Sequence, residues 1–574
     1  MSRHQGAAVW DARLDGDAGW RDFTVSGRPA FVRSQQADRP IAWRLRRRAV
    51  EALRRIPDRL LAGTRFTLGF CGSVPAGTLL YVHSRLPDGR EEGYPLTDRL
   101  FVLIAVSGDA QAGACNGDTA DFSLSSGEIL IVCGRNEDEA WRQFALLAPQ
   151  DAASLCRQTL ADWRDFTARR SRYLPVLDET AGQAADDIAV LLKTQQDAGG
   201  GILAGCNYHL SYVRDNYGDF RGLMACGCRD EAKALLLYYA EVFARYGRIA
   251  NAQGMGAYAF HEHENDRTEI TGYIVLMAME YTAATGDEQT LRALAPLLRW
   301  ALWAQRSELT DGMLPFNGDE TYIAGGILPR AHILDGSMEA TLLYHRALEL
   351  YLPVAERLGL EDDAFLAEQR QAMRSIADRF LARFVRDGVL YCNAPGLYTR
   401  QTAPARRGGV RECGHGFGLS YRNRHMRYVC LDCLDRDEPG PAEPRRWNLV
   451  STAFMPLWVG SELVPREILQ QMVRSVCRTW LETGRLPSSP DGDCTVGYDY
   501  GLLLYAIRHS GVDEPEAYVT LRRAMLDVRD QTGAWVEYYR SGVPSGTPCR
   551  PWESGVNLAA LLDEACETDS GDRR

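Results

Sequence analysis

A chain of 574 residues, 45% of them hydrophobic, can bury a large core and is expected to divide into two or three domains. Its formal net charge of −11 argues against a nucleic-acid partner, since phosphate backbones reward a basic surface, and favours a neutral or small-molecule ligand. The opening Met1-Ser2-Arg3-His4 lacks the apolar stretch of a secretory signal, and no apolar run is long enough for a bilayer. A soluble cytoplasmic protein with no membrane partner is therefore expected. The 15 cysteines suggest reduced thiols, some of them on a metal, rather than a disulfide framework.

Residues 1–160 read as short strands, among them Phe23–Val25, Arg65–Phe70, Thr78–His83, Leu100–Ser107 and Ile129–Val132, punctuated by Gly, Asp, Pro and Asn. An antiparallel β-sandwich domain is the expectation. Within it, Ile41–Leu61 carries Trp43, Leu45, Val50, Leu53 and Ile56 at nearly helical spacing, so a helix is expected there with Arg46, Arg47 and Arg48 on a solvated face. Residues 161–177 read as a connecting segment. From 178 to 566 two kinds of helix alternate. Thr271–Thr282 is apolar all round, as a helix buried on every side must be, whereas Glu288–Ser307 has one leucine stripe and exposed arginines. Buried-type helices fall near 214–227, 269–285, 337–352, 448–461, 496–509 and 553–566, with Pro456 expected to kink the fourth or leave its first turn irregular. Amphipathic ones fall near 178–197, 229–246, 288–307, 362–386, 466–482 and 515–530. Six inner helices ringed by six outer ones describe an (α/α)6 barrel, interrupted by a 393–446 insertion loop and followed by a polar tail at 567–574. The expected fold is thus α+β and multidomain: a sandwich, then a barrel.

In such a barrel the loops before the inner helices share one rim, and polar and aromatic residues collect there. They include Tyr212, Arg214 and Asp215; Asp266; Asp319 and Glu320; Trp447; and the stretch from Trp535 and Glu537 to Trp552 and Glu553. Aromatics that stack on ring faces, with carboxylates and amides that pair hydroxyls, suit an oligosaccharide or glycoside. Two carboxylates on distant loops, Glu320 and Glu537, are what inverting glycoside cleavage requires. One protonates the leaving oxygen and the other activates water from the opposite face, at a separation of roughly 6.5–9.5 Å.

At four places the chain resembles the glucoamylase-like family of glycosidases, whose prokaryotic members join a β-sandwich to a six-fold α/α barrel. Tyr212-Val213-Arg214-Asp215 is similar to the family's aromatic-x-Arg-Asp, which implies that Arg214 and Asp215 hold hydroxyls of the sugar being cleaved. Asn265-Asp266-Arg267 looks like the next inner-helix entry. Gly318-Asp319-Glu320 occupies the family's place for its general acid, and Trp535-Val536-Glu537-Tyr538 with Arg550-Pro551-Trp552-Glu553 its place for the general base. The resemblance implies Glu320 as acid and Glu537 as base. Asp319 competes with Glu320 for the first role and Glu553 with Glu537 for the second. Tyr212, Arg214, Asp215, Asp266, Asp319, Trp447, Trp552 and Glu553 are the expected sugar-binding residues.

The insertion loop contains Cys413, His415, Cys430 and Cys433, a Cys-x-His pair and a Cys-x-x-Cys pair that together offer four ligands for a tetrahedral structural zinc, with free thiols as the alternative and His425 as a substitute ligand. A closed site of that kind stays out of catalysis, for which no cofactor is expected. Two other functions share the architecture. One is an inverting disaccharide phosphorylase, for which Ser541-Gly542-Val543-Pro544-Ser545-Gly546-Thr547 offers hydroxyls and backbone donors; the other is a non-catalytic carbohydrate-binding barrel. Homo-oligomers are compatible with all three.

Overall fold

The computed structural model describes the chain except residues 1, 14–17, 47–52, 76–83, 86–90, 93–98, 206–209, 255–259, 262–265, 315–335, 395–416, 421–426, 431–453, 487–493 and 572–574. It divides into two compact units: Met1–Tyr81 with Tyr94–Arg172, and Val82–Gly93 with Tyr173–Arg574.

The first unit is a mixed structure built on one antiparallel sheet. Its strands are β1 (Ser2–Arg3), β2 (Val9–Arg13), β3 (Gly19–Thr24), β4 (Ala30–Arg46), β5 (Leu53–Arg55) and β6 (Phe66–Pro75). After the small β7–β8 pair of the other unit (Ser84–Arg85, Glu91–Glu92) come β9 (Arg99–Ser107), β10 (Gln111–Cys115) and β11 (Thr119–Gly134). The sheet order is β1-β2-β3-β4-β11-β9-β6-β5, with β10 on β11. Because successive strand residues point to opposite faces, β9 feeds two cores. Leu103 and Ala105 join Val32, Leu130 and Phe144 in one; Ile104 and Val106 join Phe70, Phe122 and Leu124 in the other.

Two helices, α1 (Glu137–Leu147) and α2 (Ala152–Arg170), cover the first of these faces through Phe144, Leu147 and Leu155. Sequence reading assigned their residues to strands and to the connecting segment. Their caps are nonetheless local: Asn136 accepts from the Glu139 N–H and Asp151 from that of Ser154.

The helix expected over Ile41–Leu61 is not formed. Residues to Arg46 continue β4, and Leu53–Arg55 form β5. Ile41, Trp43 and Leu45 also repeat at a period of two, so a short window fits either element. The partner strand decides. Trp43 stacks on Phe122 across the ladder at 6.4 Å, and Arg44 makes two bonds to Asp121 at 2.8 and 2.9 Å.

In the second unit all twelve expected helices have counterparts: α3 (Glu179–Gln195), α4 (Val213–Ala225), α5 (Arg229–Tyr246), α6 (Ile270–Thr285), α7 (Glu288–Glu308), α8 (Met338–Leu358), α9 (Asp363–Phe384), α10 (Phe454–Trp458), α11 (Arg466–Thr483), α12 (Asp499–Ser510), α13 (Pro515–Asp527) and α14 (Pro551–Gly571). Short strand pairs lie between them: β12 (Leu210–Tyr212), β13 (Ala252–Gly254) and β14 (Phe260–His261); β15 (Val385–Arg386) and β16 (Val389–Leu390); β17 (Phe417–Ser420) and β18 (Arg427–Cys430); β19 (Cys494–Val496), β20 (Tyr538–Arg540) and β21 (Val543–Pro544). The kink expected at Pro456 is untested, because the residues that precede Phe454 lie outside the described ones.

The helices of the buried kind pack in order. α6 touches α4 and α8; α12 touches α10 and α14; α14 returns to α4. Between α8 and α10, Arg346 Nε donates to the Val459 carbonyl at 3.0 Å. Residues Ile270–Met279 of α6 are all buried, as an all-apolar helix requires. Helices α4 and α14 meet backbone to backbone. A β-carbon on Gly222 would lie 2.5 Å from the Gly555 Cα, and one on Gly555 2.4 Å from the Gly218 carbonyl oxygen. That approach brings the helix starts, with Arg214, Asp215, Trp552 and Glu553, side by side.

Candidate active site

The site begins at the N-terminal end of α4. Strand β12 pairs Tyr212 with Ala252 of β13, and the Val213 N–H donates to the Asn251 carbonyl at 3.0 Å. Asn251 is itself held, since its N–H donates to Asp266 Oδ1 at 2.6 Å. Asp266 therefore acts on the backbone that sets the start of α4. Arg214 and Asp215, 4% and 2% exposed, sit in the first turn, where helix polarity favours the carboxylate. The Arg214 guanidinium lies 5.1 Å from the Trp552 ring centroid and 3.5 Å from Asp215. Trp552 stacks obliquely on Tyr498 at 4.7 Å.

Arg550 joins the starts of α4 and α14. Its Nε donates to Glu553 Oε2 at 2.9 Å and its Nη2 to Glu553 Oε1 at 3.3 Å and Asp215 Oδ1 at 3.2 Å; Nη1 reaches the Ala204 carbonyl. All three residues are at most 4% exposed, so one cation bridges two buried carboxyl groups through a rigid fork. Sequence reading quoted Arg550 only within its motif. The signal was its position three residues before Glu553, which puts both on one face of a helix start.

Glu537 lies just before β20, which pairs with β19 so that Val496 faces Tyr538. Its carbonyl accepts the Gly497 N–H at 2.8 Å, its N–H donates to the Thr547 carbonyl at 3.1 Å, and its Oε2 accepts the Thr547 N–H at 3.3 Å. A β-carbon on Gly497 would come within 2.0 Å of the Val536 carbonyl oxygen and 2.9 Å of Glu553 Cγ. That close approach requires glycine and sets Glu537 and Glu553 on neighbouring stretches.

Burial pushes the Glu553 carboxyl up to about 7; the Arg550 charge opposes this, and the charges of Glu537 and Asp215 add to it. Asp219, one turn beyond Asp215, is also held well above the usual carboxylate range, first by burial and then by Asp215. It accepts an Asn216 amide bond at 3.0 Å. Tyr498 is raised by burial and by the charges of Asp499, Glu553 and Glu339. Glu339, fully buried in the first turn of α8, accepts the Tyr273 hydroxyl, while Ser337 caps the same helix by accepting the Ala340 N–H at 2.9 Å. The helix starts and the turn that follows thus concentrate acids, and burial raises two of them, Glu553 and Asp219.

Glu553 gives a pH prediction. Because its folded value, about 7, exceeds the ordinary 4.5, its contribution to stability is full below about 4.5 and is lost as pH rises through 7. Glu553→Gln is expected to flatten this part of the melting-temperature profile between pH 4.5 and 7.5. Scanning calorimetry of both proteins measures it, and parallel profiles would refute the assignment.

Of the expected site residues, Tyr212, Arg214, Asp215, Asp266, Glu537, Trp552 and Glu553 are described and are placed as above. Glu320, Asp319 and Trp447 lie outside the described residues, as do Cys413, His415 and Cys433; of Cys430 only the backbone is described. The residues on either side of 315–335 are described: Leu314 pairs with Ser337 directly before α8. Among the described residues no group of three or more His, Cys, Asp or Glu side chains is arranged to hold a metal. No helix among them is long and apolar enough to cross a membrane.

Neither a protein-family model nor a curated protein matches this sequence. Solved structures do. A bacterial glucoamylase complexed with acarbose is similar over 97% of this chain and 85% of its own, with a TM-score of 0.55 and 11% identity. A glycosidase covers 68% of this chain and 99% of its own (TM-score 0.47, 13% identity), and a rhamnosidase from Klebsiella oxytoca with rhamnose bound covers 92% and 96% (TM-score 0.46, 10% identity). The chain has a glucoamylase-like glycosidase fold, a mixed fold with an N-terminal antiparallel sheet.

Proposed function

We propose that this protein is an inverting glycoside hydrolase that releases a terminal sugar from an α-glucoside or related oligosaccharide. On this reading its second unit is an (α/α)6 barrel, the first a β-sandwich, and the ring of α4, α6, α8, α10, α12 and α14 presents its N-terminal ends as the sugar-binding rim. The observation that carries it is the buried Asp215–Arg550–Glu553 array beside Arg214 and Trp552, with Glu537 on the adjoining loop. An aromatic face flanked by fixed charges binds a sugar ring and its hydroxyls. Glu537 is the base that activates water, and Glu320 is the acid that protonates the leaving oxygen. Arg214, Asp215 and Trp552 hold the sugar, with Tyr212, Asp266, Asp319, Trp447 and Glu553 around them.

Burial and pairing support Glu537 over Glu553 as base. Glu553 is 1% exposed and gripped by Arg550, whereas Glu537 is only half-buried and so more open to water. Hydrolysis is favoured over phosphorolysis because the Thr547 N–H is given to Glu537 and the Ser545 hydroxyl to the Val543 carbonyl. Those donors are spent within the loop that phosphate would need. Proton NMR of a glycoside panel tests the reading. Release of the inverted anomer without added phosphate is expected; a retained anomer or an absolute need for phosphate would refute it.

We also infer a structural zinc in the insertion. Strands β17 and β18 pair Phe417 with Cys430, and in sequence Cys413 and His415 shortly precede Phe417 while Cys433 shortly follows Cys430. Metal analysis is expected to find about one zinc per chain in the wild type and none in a Cys430→Ser/Cys433→Ser variant. A zinc-free wild type purified without chelators would rule it out.

A further inference from the structure

Away from the rim, α7 and α9 flank a cavity of about 450 Å³, lined by Trp300, Trp303, Phe365, Arg299, Asp362 and Glu368 among others. Trp303 is 47% exposed although Arg267 stands 5.5 Å from its ring centroid. A tryptophan that large left open to water forgoes a sizeable apolar contact. Beside it the polar groups are already immobilised. The Arg299 guanidinium lies 4.4 Å from the Phe365 ring centroid and bonds to Glu361 and, at 2.9 Å, to Asp362. Glu368 pairs with Arg306 at 3.4 Å. With two guanidiniums set against three carboxylates, the cavity carries a small negative excess and offers nothing to an anion. What remains is an aromatic shelf edged by oriented donors and acceptors.

We propose that this cavity is a secondary binding site for a neutral polysaccharide, with sugar faces on Trp303 and Trp300 and hydroxyls on Arg299, Asp362 and Glu368. Its volume falls in the range of small-ligand pockets and suits one or two sugar units. The site would tether a polymer while its chain end is cleaved at the rim. It rests on the carbohydrate reading of that rim but can be tested without turnover.

The test is affinity electrophoresis through gels cast with soluble starch, dextran, xylan or galactomannan, run on the wild type, Trp303→Ala and Glu537→Gln. The wild type and Glu537→Gln are expected to be retarded by at least one polymer, and Trp303→Ala, checked for an unchanged melting temperature, to lose at least fivefold of that affinity. Arg299→Ala provides the second variant and is expected to weaken binding in the same gel. Retardation that survives in Trp303→Ala and Arg299→Ala, or a wild type retarded by none of the four polymers, would overturn the proposal. So would retardation lost only in Glu537→Gln, which places binding at the rim alone. Turnover of small glycosides by the wild type separately decides the hydrolase reading.

Discussion

Glu537→Gln is expected to lower turnover by about 10²–10⁴-fold, the range by which a positioned general base accelerates a step. The change removes the proton acceptor and keeps the shape. The carbonyl bond from Gly497 and the backbone bond to Thr547 involve main-chain atoms of residue 537, and the amide oxygen can still accept the Thr547 N–H. Folding should therefore be preserved, with a melting temperature within a degree or two of the wild type. Steady-state kinetics should show the loss in kcat with little change in KM, because the base acts only in the transition state. A variant that keeps more than a tenth of the wild-type kcat would shift the base elsewhere, with Glu553 next in line. The same assay on Glu553→Gln then separates the two: a residue bound to Arg550 should alter sugar positioning and KM as well as kcat.

Arg550→Met should be the most damaging substitution at the site. It leaves Asp215 and Glu553, 2% and 1% exposed, without the guanidinium that bridges them. Removing one partner of a buried ion pair costs about 3–5 kcal/mol, more than the pair itself stabilises, since the survivor stays desolvated with its charge less well compensated. Part of the cost will be relieved by protonation. Glu553 already titrates near 7, and without Arg550 its value rises further, so Arg550→Met should be less destabilised at pH 5 than at pH 8. Arg550→Lys keeps the charge but not the fork, and should fall between. Denaturant unfolding at both pH values measures the series. Equal stability of Arg550→Met and wild type at pH 8 would mean that the array does not hold the helix starts together.

How much of this was legible before the fold is best seen in particular residues. The alternation of all-apolar and one-sided helices could be read because burial on every face leaves no polar position: Ile274–Met279 allows only a central helix, and the leucine stripe of α7 only a peripheral one. Helix starts were equally readable from Asp178, Asp287, Ser337 and Asp362, each of which caps by accepting an N–H three residues on. Arg214, Asp215 and Trp552 could be singled out by type, as charged or aromatic residues at helix entries.

Other features depended on partners remote in sequence. Ile41–Arg46 fits both a helix and a strand until β11 supplies Phe122 and Asp121 opposite it, and only that pairing selects the strand. Arg550 acquires its meaning from Asp215 and the Ala204 carbonyl, both more than 300 residues away, which the Gly222–Gly555 contact brings within reach. The raised Glu553 carboxyl is likewise a product of burial and of the Glu537 and Asp215 charges, none of which is a local property. The sequence by itself thus determined the succession of helices and the residue types at their entries, because periodicity and capping act within a few residues. The tertiary structure alone decided which of those entries share one buried array, because desolvation and charge pairing act through space.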